Sequence, residues 1–511
     1  MDALIPLFVA IPLISAFLMV IFGKLVKGFH RFLAPITLLA LLLLAVYEFT
    51  SLGGTSQAYA MGGWTGKEGS PLGIFLVLDG FSVIMLCIIN LIGLVALFYS
   101  LSYMAKYTAE ANYYSLFCLI VAGMNGVVLS GDLFNLFVFL EVSVISSYAL
   151  VAFGVGKTEL EASFKYQVLG GLASMLILLA IGLIYWQCKT VNMAEVRAAF
   201  DGSYSKAFYV FVQVLLISGF GLKAAIIPFH AWLPDAHSSA PSPISAMLSG
   251  VLIKAVGIYV LIRLFFNMFV FTHEIGVVIA ALGALSMVLG SLLAIIQWDV
   301  KRLLAYSSIS QIGYIVMAFG MGIILLLRGN NEAAAVLAIG GGIYHMINHA
   351  VFKGLLFLNA GSLEFRLNTR NLKEMGGLSK SMPLTSTTSF MASMSISGIP
   401  PFNGFFSKLV IIIAAINGRF YLLAALAVLV SIITLGYFLK FQRFAFFNKA
   451  EKAVEKIREV PFPMATSMVF LAILCVALSL LAIPSVSETV LRPAIDVLIQ
   501  PELYSTTLIG I

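Results

Sequence analysis

Long apolar runs separated by short polar turns organise this chain from end to end. One α-helix needs about 20 apolar residues to cross a bilayer, and by that measure about fourteen runs can be counted. They are 3–22, 31–50, 76–102, 111–130, 132–154, 162–186, 207–228, 242–267, 274–297, 304–327, 333–360, 383–418, 420–447 and 464–484. The pattern predicts an all-α polytopic membrane protein. The twelfth run is too long for one straight helix and holds Gly398, Pro400, Pro401 and Gly404, which predicts two half-helices in series. The seventh ends in Pro228-Phe229-His230 and is expected to continue, broken, towards Pro234.

Composition supports this reading. The chain has 511 residues, 61% hydrophobic and 10% charged, with mean hydropathy +1.04, a surface that no soluble domain of this size solvates. The net charge of +7 does not point to nucleic acid, because the basic residues lie in short loops between apolar runs. Lysine and arginine are more numerous in the loops after odd-numbered runs, which predicts a cell (cytoplasmic) membrane protein with those loops cytoplasmic and both termini outside. The first run lacks the basic start and small-residue cleavage site of a signal peptide and is expected to remain as a spanning helix. Cys87, Cys118, Cys188 and Cys475 are far apart and form no C-x-x-C spacing. That argues against an iron–sulfur or zinc site in this chain and for packing roles.

Runs four to eight and nine to thirteen each contain a Gly/Pro-broken segment near the end, with a lysine beside the break. The first reads Ser218-Gly219-Phe220-Gly221-Leu222-Lys223 and then Pro228; the second reads Ser397-Gly398-Ile399-Pro400-Pro401 and then Lys408. Because each block holds an odd number of spans, the second must be inverted relative to the first. The expected division is 1–110 (N-terminal helices), 111–267 and 268–447 (inverted five-helix repeats), and 448–511 (loop, last helix and tail). The polar stretches 361–382 and 448–462 are expected to be loops, the latter as a solvated helix face. The mildly amphipathic tail 485–511 receives no assignment.

Charges inside apolar runs are the most informative residues. Each costs about 2.5–3.5 kcal/mol at the bilayer centre on insertion scales, so such residues usually mark an ion path. Glu141, Lys223, Lys254, Lys353, Lys408 and Lys440 all fall there. Glu141 and Lys223 are expected either as a switching proton site or as a static ion pair that orients two helices. Lys223 precedes the Pro228 break, where freed carbonyls need partners, and lysine, unlike arginine, changes its proton affinity readily on burial. Lys254 is too deep to snorkel. His345, His349 and Lys353, spaced i, i+4, i+8, form a stripe about 12 Å long suited to a water-bridged proton wire. Lys408 ends the row Glu141–Lys223–Lys254–His349–Lys408, while Lys440 lies near a helix end. His230, Asp235 and His237, with Lys353, are candidates for proton uptake; the first three fit turn or capping roles equally well. Asp79 and Asp132 read as interfacial caps, and Asp299, Lys301 and Arg302 as an anchoring turn. No metal site is expected, since no third ligand stands near the histidines.

Several stretches are similar to the antiporter-like membrane subunits shared by respiratory complex I, Mrp-type sodium/proton antiporters and energy-converting membrane-bound hydrogenases. They are Gly221-Leu222-Lys223 through Pro228-Phe229-His230-Ala231-Trp232-Leu233-Pro234-Asp235-Ala236-His237, and Ala240-Pro241-Ser242-Pro243. The likeness continues through Asp299–Gln311, His345-Met346-Ile347-Asn348-His349-Ala350-Val351-Phe352-Lys353, and Gly398-Ile399-Pro400-Pro401 with Lys408. The resemblance implies fourteen helices with two inverted five-helix repeats. It implies that Glu141 and Lys223 are the family's charged pair, Lys254 its linking lysine, His345 and His349 its connecting histidines and Lys408 its terminal lysine. Some branches carry glutamate at that last position. This chain also lacks the long lateral helix of the largest complex I member, and the two departures favour the D-type member of the Mrp antiporters and its hydrogenase relatives.

The expectation is therefore a proton-translocating subunit of a multisubunit complex, with no cofactor of its own. Expected partners are other membrane subunits, with peripheral hydrogenase or iron–sulfur subunits if the host is a redox machine. Sodium, if moved, would pass through a partner, because a row of lysines repels cations. Three rivals are a quinone-binding redox subunit, a stand-alone solute carrier and a non-conducting structural paralogue.

Overall fold

The computed structural model describes residues 4–23, 25–63, 73–200, 205–329, 331–449 and 457–509. It is a helical bundle in which twelve described helices are long and apolar enough to cross a membrane, so the chain is a multi-pass membrane protein. In order the helices are α1 (Leu7–Phe22), α2 (Phe29–Ser51), α3 (Gly80–Tyr103), α4 (Glu110–Leu129), α5 (Leu133–Val151), α6 (Lys157–Cys188), α7 (Met193–Phe200) and α8 (Lys206–Ala224). Next come α9 (Trp232–Ser239), α10 (Ser242–Met268), α11 (His273–Ile295), α12 (Val300–Arg328), α13 (Glu332–Leu367), α14 (Pro383–Ser397) and α15 (Asn403–Asn417). The last are α16 (Tyr421–Phe447), α17 (Phe462–Ala482), α18 (Pro484–Val490), α19 (Arg492–Ile499) and α20 (Pro501–Ile509).

Both expected breaks are present. Helix α8 stops at Ala225, whose φ of 53° turns the chain left-handed. Trp232 of α9 then donates from its indole to the Leu222 carbonyl at 2.8 Å, alongside the Ala225 amide. Helix α14 stops at Gly398, with φ 80°, and α15 resumes at Asn403. The twelfth apolar run is thus two short helices in series, as its prolines require.

Other features depart from the apolar pattern. Phe75–Leu78, whose last three residues were counted within the third span, is a strand (β2) paired antiparallel with Gln57–Ala60 (β1) in the register Gln57↔Leu78. Helix α3 begins only after Asp79, whose carboxylate caps it by accepting from the Phe81 and Ser82 amides at 3.0 and 2.8 Å. Asp132 and Asp299 cap α5 and α12 in the same way. Residues 361–367, expected as loop, are the last two turns of α13. Within 448–462, residues 450–456 lie outside the described residues. Glu459 is not a solvated position: it accepts from the Leu384 and Thr385 amides and the Thr385 hydroxyl, capping α14. Lys440 donates to the Ile295 and Gln297 carbonyls at 2.5 and 2.7 Å and so caps the end of α11. The tail forms α18–α20, which fold over the end of the bundle that carries the hairpin. There Arg263 pairs with Asp79 at 2.8 Å beneath Tyr504.

Glycines set the closest packing. Gly283 and Gly290 of α11 face α12, and Gly313 and Gly320 of α12 face α11. A Cβ at Gly283 would lie 2.3 Å from the Met317 amide, and one at Gly320 would lie 2.3 Å from the Ala280 amide. Small residues in this pattern let membrane helices touch along their backbones, where lipid supplies no hydrophobic drive for association.

Candidate functional site: a buried polar row

The row begins where α5, α6 and α8 meet. The Lys223 ammonium lies 3.7 Å from Glu141 Oε1 and donates to the Gly170 carbonyl at 3.0 Å and to Ser174 Oγ at 2.9 Å. Ser174 in turn donates to Glu141 in a short hydrogen bond, so its hydroxyl bridges the pair. Lys223 is 2% exposed, whereas Glu141 is 26% exposed on an outer face between Val138 and Ile145. The pair therefore joins the interior to the flank of the subunit.

Helix α10 passes close to this point because residue 257 is glycine; a Cβ there would lie 2.7 Å from Ala224 Cα. The helix contains three π-helical stretches, 248–252, 254–259 and 264–268. Widened turns expose carbonyls that a regular α-helix keeps paired. Lys254 uses them, donating to the Ser249 and Gly250 carbonyls at 2.6 and 2.5 Å while fully buried.

Helix α13 supplies the middle of the row. His345, His349 and Lys353 are fully buried. His349 lies within electrostatic range of Lys254, Lys353, His345 and His237, and among the described residues neither of its ring nitrogens has a hydrogen-bond partner. Lys353 donates to the Leu304 carbonyl at 2.7 Å and Ser307 Oγ at 2.5 Å. Next to Ser307, the Ser308 hydroxyl meets that of Ser249 at 2.7 Å, tying α12 to α10.

His345 Nδ1 lies 3.0 Å from Ser407 Oγ on α15, one residue before Lys408. Asn348 and Asn403 exchange hydrogen bonds at 2.9 Å and hold the second break against α13. Lys408 reaches back across the break to the Ile396 carbonyl at 2.7 Å, with its ammonium 4.8 Å from the Tyr314 ring centre. A cleft of about 200 Å³ between α15 and α16 opens onto it.

Among the described residues, Lys254, Lys353 and Lys408 have no carboxylate within ion-pair distance; carbonyls and hydroxyls solvate them instead. Such groups gain or lose a proton without breaking an ion pair, and water or an imidazole can bridge them. The uptake candidates separate. His230 is half-buried at the α8 break, and Asp235 is tied to Arg302 at 2.6 Å and Lys165 at 3.2 Å. His237 and Lys353 are fully buried, so they stand inside the protein and not at an opening to bulk water. Ser174, Ser307 and Ser407 were not singled out from sequence, since buried serines are ordinary at membrane helix contacts. Among the described residues no three His, Cys, Asp or Glu side chains gather to hold a metal, and the four cysteines stand on α3, α4, α6 and α17.

Two family models match the chain: "NADH:quinone oxidoreductase/Mrp antiporter, TM" over residues 130–434, and "NADH-Ubiquinone oxidoreductase (complex I), chain 5 N-terminus" over 64–114. The chain is 32% identical to the D-type subunit of the Na(+)/H(+) antiporter of Alkalihalophilus pseudofirmus, covering 99% of each sequence. It is 33% identical to hydrogenase-4 component B of Escherichia coli, covering 80% of this chain and 62% of that one. Among solved structures, the Mrp complex from Dietzia superposes with a TM-score of 0.89 at 27% identity, covering 100% of this chain and 99% of that one. The archaeal membrane-bound sulfane sulfur reductase superposes at 0.87 with 29% identity and 99% coverage of both. The chain belongs to the NADH:quinone oxidoreductase/Mrp antiporter family of membrane subunits.

Proposed function

We propose that this chain is a proton-translocating, antiporter-like subunit of a multisubunit membrane complex. The observation that carries the reading is the row itself. A bridged Glu141–Ser174–Lys223 cluster at one flank leads through Lys254, His349 and His345 to Lys408 at a cleft on another surface. A change of charge at Glu141–Lys223 alters the field at Lys254, and each neighbour responds in turn through a low-dielectric interior.

The two blocks 111–267 and 268–447 are read as inverted repeats within a fourteen-helix plan, each holding one broken helix. The loops rich in lysine and arginine are assigned to the cytoplasm, in a cell membrane, with both termini outside. An Mrp-type sodium/proton antiporter is the preferred host, on the full-length likeness to a D-type antiporter protein. A hydrogenase-like redox complex is the second, on the component B relative. In either host this chain supplies the proton path without a cofactor of its own, sodium is assigned to a partner, and iron–sulfur subunits are expected only in the redox case.

Replacing Glu141 or Lys223 by alanine is expected to abolish coupled transport while leaving the complex assembled. Wild-type flux in either variant would sink the reading. Mass spectrometry of the proteins that co-purify in mild detergent separates the two hosts.

A further inference from the structure

The last turns of α13 carry a carboxylate that the membrane row does not use. Glu364 is 24% exposed at the end of the bundle opposite the hairpin, and its Oε2 lies 2.7 Å from the ammonium of Lys301, which is 2% exposed. It also accepts from Ser242 Oγ at 3.3 Å and Tyr103 OH at 3.4 Å. Arg370 stands 4.0 Å from its other oxygen, shared with Asp299, and Lys106 is a further cation in range. Helices α13 and α10 meet this closely because residue 361 is glycine; a Cβ there would lie 2.4 Å from Ser242 Cβ.

Lys301 links this carboxylate to the interior. It donates to the Ala240 carbonyl at the end of α9 at 3.0 Å and lies within electrostatic range of His237. His237 is fully buried, among the described residues neither ring nitrogen has a hydrogen-bond partner, and Lys353 and Lys254 are in range of its ring. Lys353 precedes Glu364 on α13 by a rise of about 16 Å, so it lies deep where Glu364 lies shallow.

We propose that Glu364 is the proton-loading residue of the row, taking protons from the aqueous face and passing them through His237 to Lys353 and Lys254. The inference rests on the proton-translocation reading above. Hydronium gives its proton to the Glu364 carboxylate and leaves as water. Through water bridging past Lys301, the acid passes that proton to a ring nitrogen of His237, regenerating the carboxylate and forming imidazolium. The imidazolium gives up the proton on its other nitrogen to Lys353 or Lys254 at the stage of the cycle when that lysine is a neutral amine, leaving ammonium and neutral imidazole. While Glu364 is protonated, Lys301 has lost its counter-charge. Discharge restores that pair, so Glu364 holds a proton only in passage, and the charge state of the row beyond His237 sets which way the proton leaves.

The test uses the whole complex reconstituted in vesicles, with proton flux read by a trapped pH dye and expressed per assembled complex. Glu364→Gln keeps the hydrogen-bonding shape but carries no proton, and it should lower flux near neutral pH by about tenfold or more. Glu364→Asp should recover most of the rate with a displaced pH profile. The charged and titratable groups facing it, Lys301, Arg370, Lys106, Tyr99, Tyr103, Tyr107 and, through Arg370, Asp299, are unchanged in both variants. Wild-type flux in Glu364→Gln overturns the proposal. So does loss of assembly in Glu364→Gln together with an unshifted profile in Glu364→Asp, which would make the pair an anchor. Lys223→Ala is the companion. A dead Lys223→Ala beside a normal Glu364→Gln removes only the role of Glu364, whereas normal flux in Lys223→Ala removes the translocation reading itself.

Discussion

Ser174 holds the strongest lever on the first element of the row. At the observed 3.7 Å, the direct Lys223–Glu141 attraction is about 4.5 kcal/mol for an effective dielectric of 20. The serine hydroxyl adds one hydrogen bond to each charged partner, and bonds of that kind contribute about 1.5–3 kcal/mol apiece. Ser174→Ala leaves the direct attraction in place and removes the bridge. If water restores one of the two bonds, the net loss is about 1.5–3 kcal/mol, or roughly 10- to 140-fold in the population of the charged pair. The expected phenotype is slowed transport with normal assembly, milder than Glu141→Ala, and recovery in Ser174→Thr. The assay is dye-reported proton flux in membrane vesicles, normalised to the amount of assembled complex. A Ser174→Ala complex that transports at the wild-type rate would refute the bridge argument.

Two further predictions concern packing. Gly257→Val places a Cβ 2.7 Å from Ala224 Cα and should push α10 away from α8, costing about 1–3 kcal/mol and lowering the detergent melting temperature together with flux; unchanged melting and flux would contradict the close approach. Arg263→Ala leaves the fully buried Asp79 without its cation and should cost about 3–5 kcal/mol, read as loss of assembled protein, with Asp79→Asn/Arg263→Gln recovering part of it.

Much of the fold was legible because bilayer thickness sets helix length. The apolar runs located the twelve long described helices, and Pro228, Pro400 and Pro401 located both breaks, since proline removes a backbone donor whatever surrounds it. Asp79, Asp132 and Asp299 were legible as caps or turn residues for the same local reason. Residues 76–78 were misplaced into a helix because a short apolar strand and the start of a span look alike without the partner strand. The π-helical turns of α10 follow from packing against α8 and from the lysine that binds the freed carbonyls, neither of which is a local signal.

The candidate site was legible in its charges and opaque in its hydroxyls. Glu141, Lys223, Lys254, Lys353 and Lys408 stand out because each opposes its apolar surroundings. Ser174 and Ser407 do not, and only the crossing of helices shows that one bridges the ion pair and the other meets His345. Glu364 escaped notice because residues 361–367 read as polar loop once apolar counting stops. No Gly or Pro interrupts 362–367, so the helix runs on and brings the carboxylate against Lys301.

The most direct test of the central claim is proton flux through the reconstituted complex with Lys223→Ala in this chain, measured beside the wild type and per assembled complex. The account predicts an assembled complex with no coupled proton movement. Equal flux in the two preparations would show that protons do not travel by the Glu141–Lys408 row.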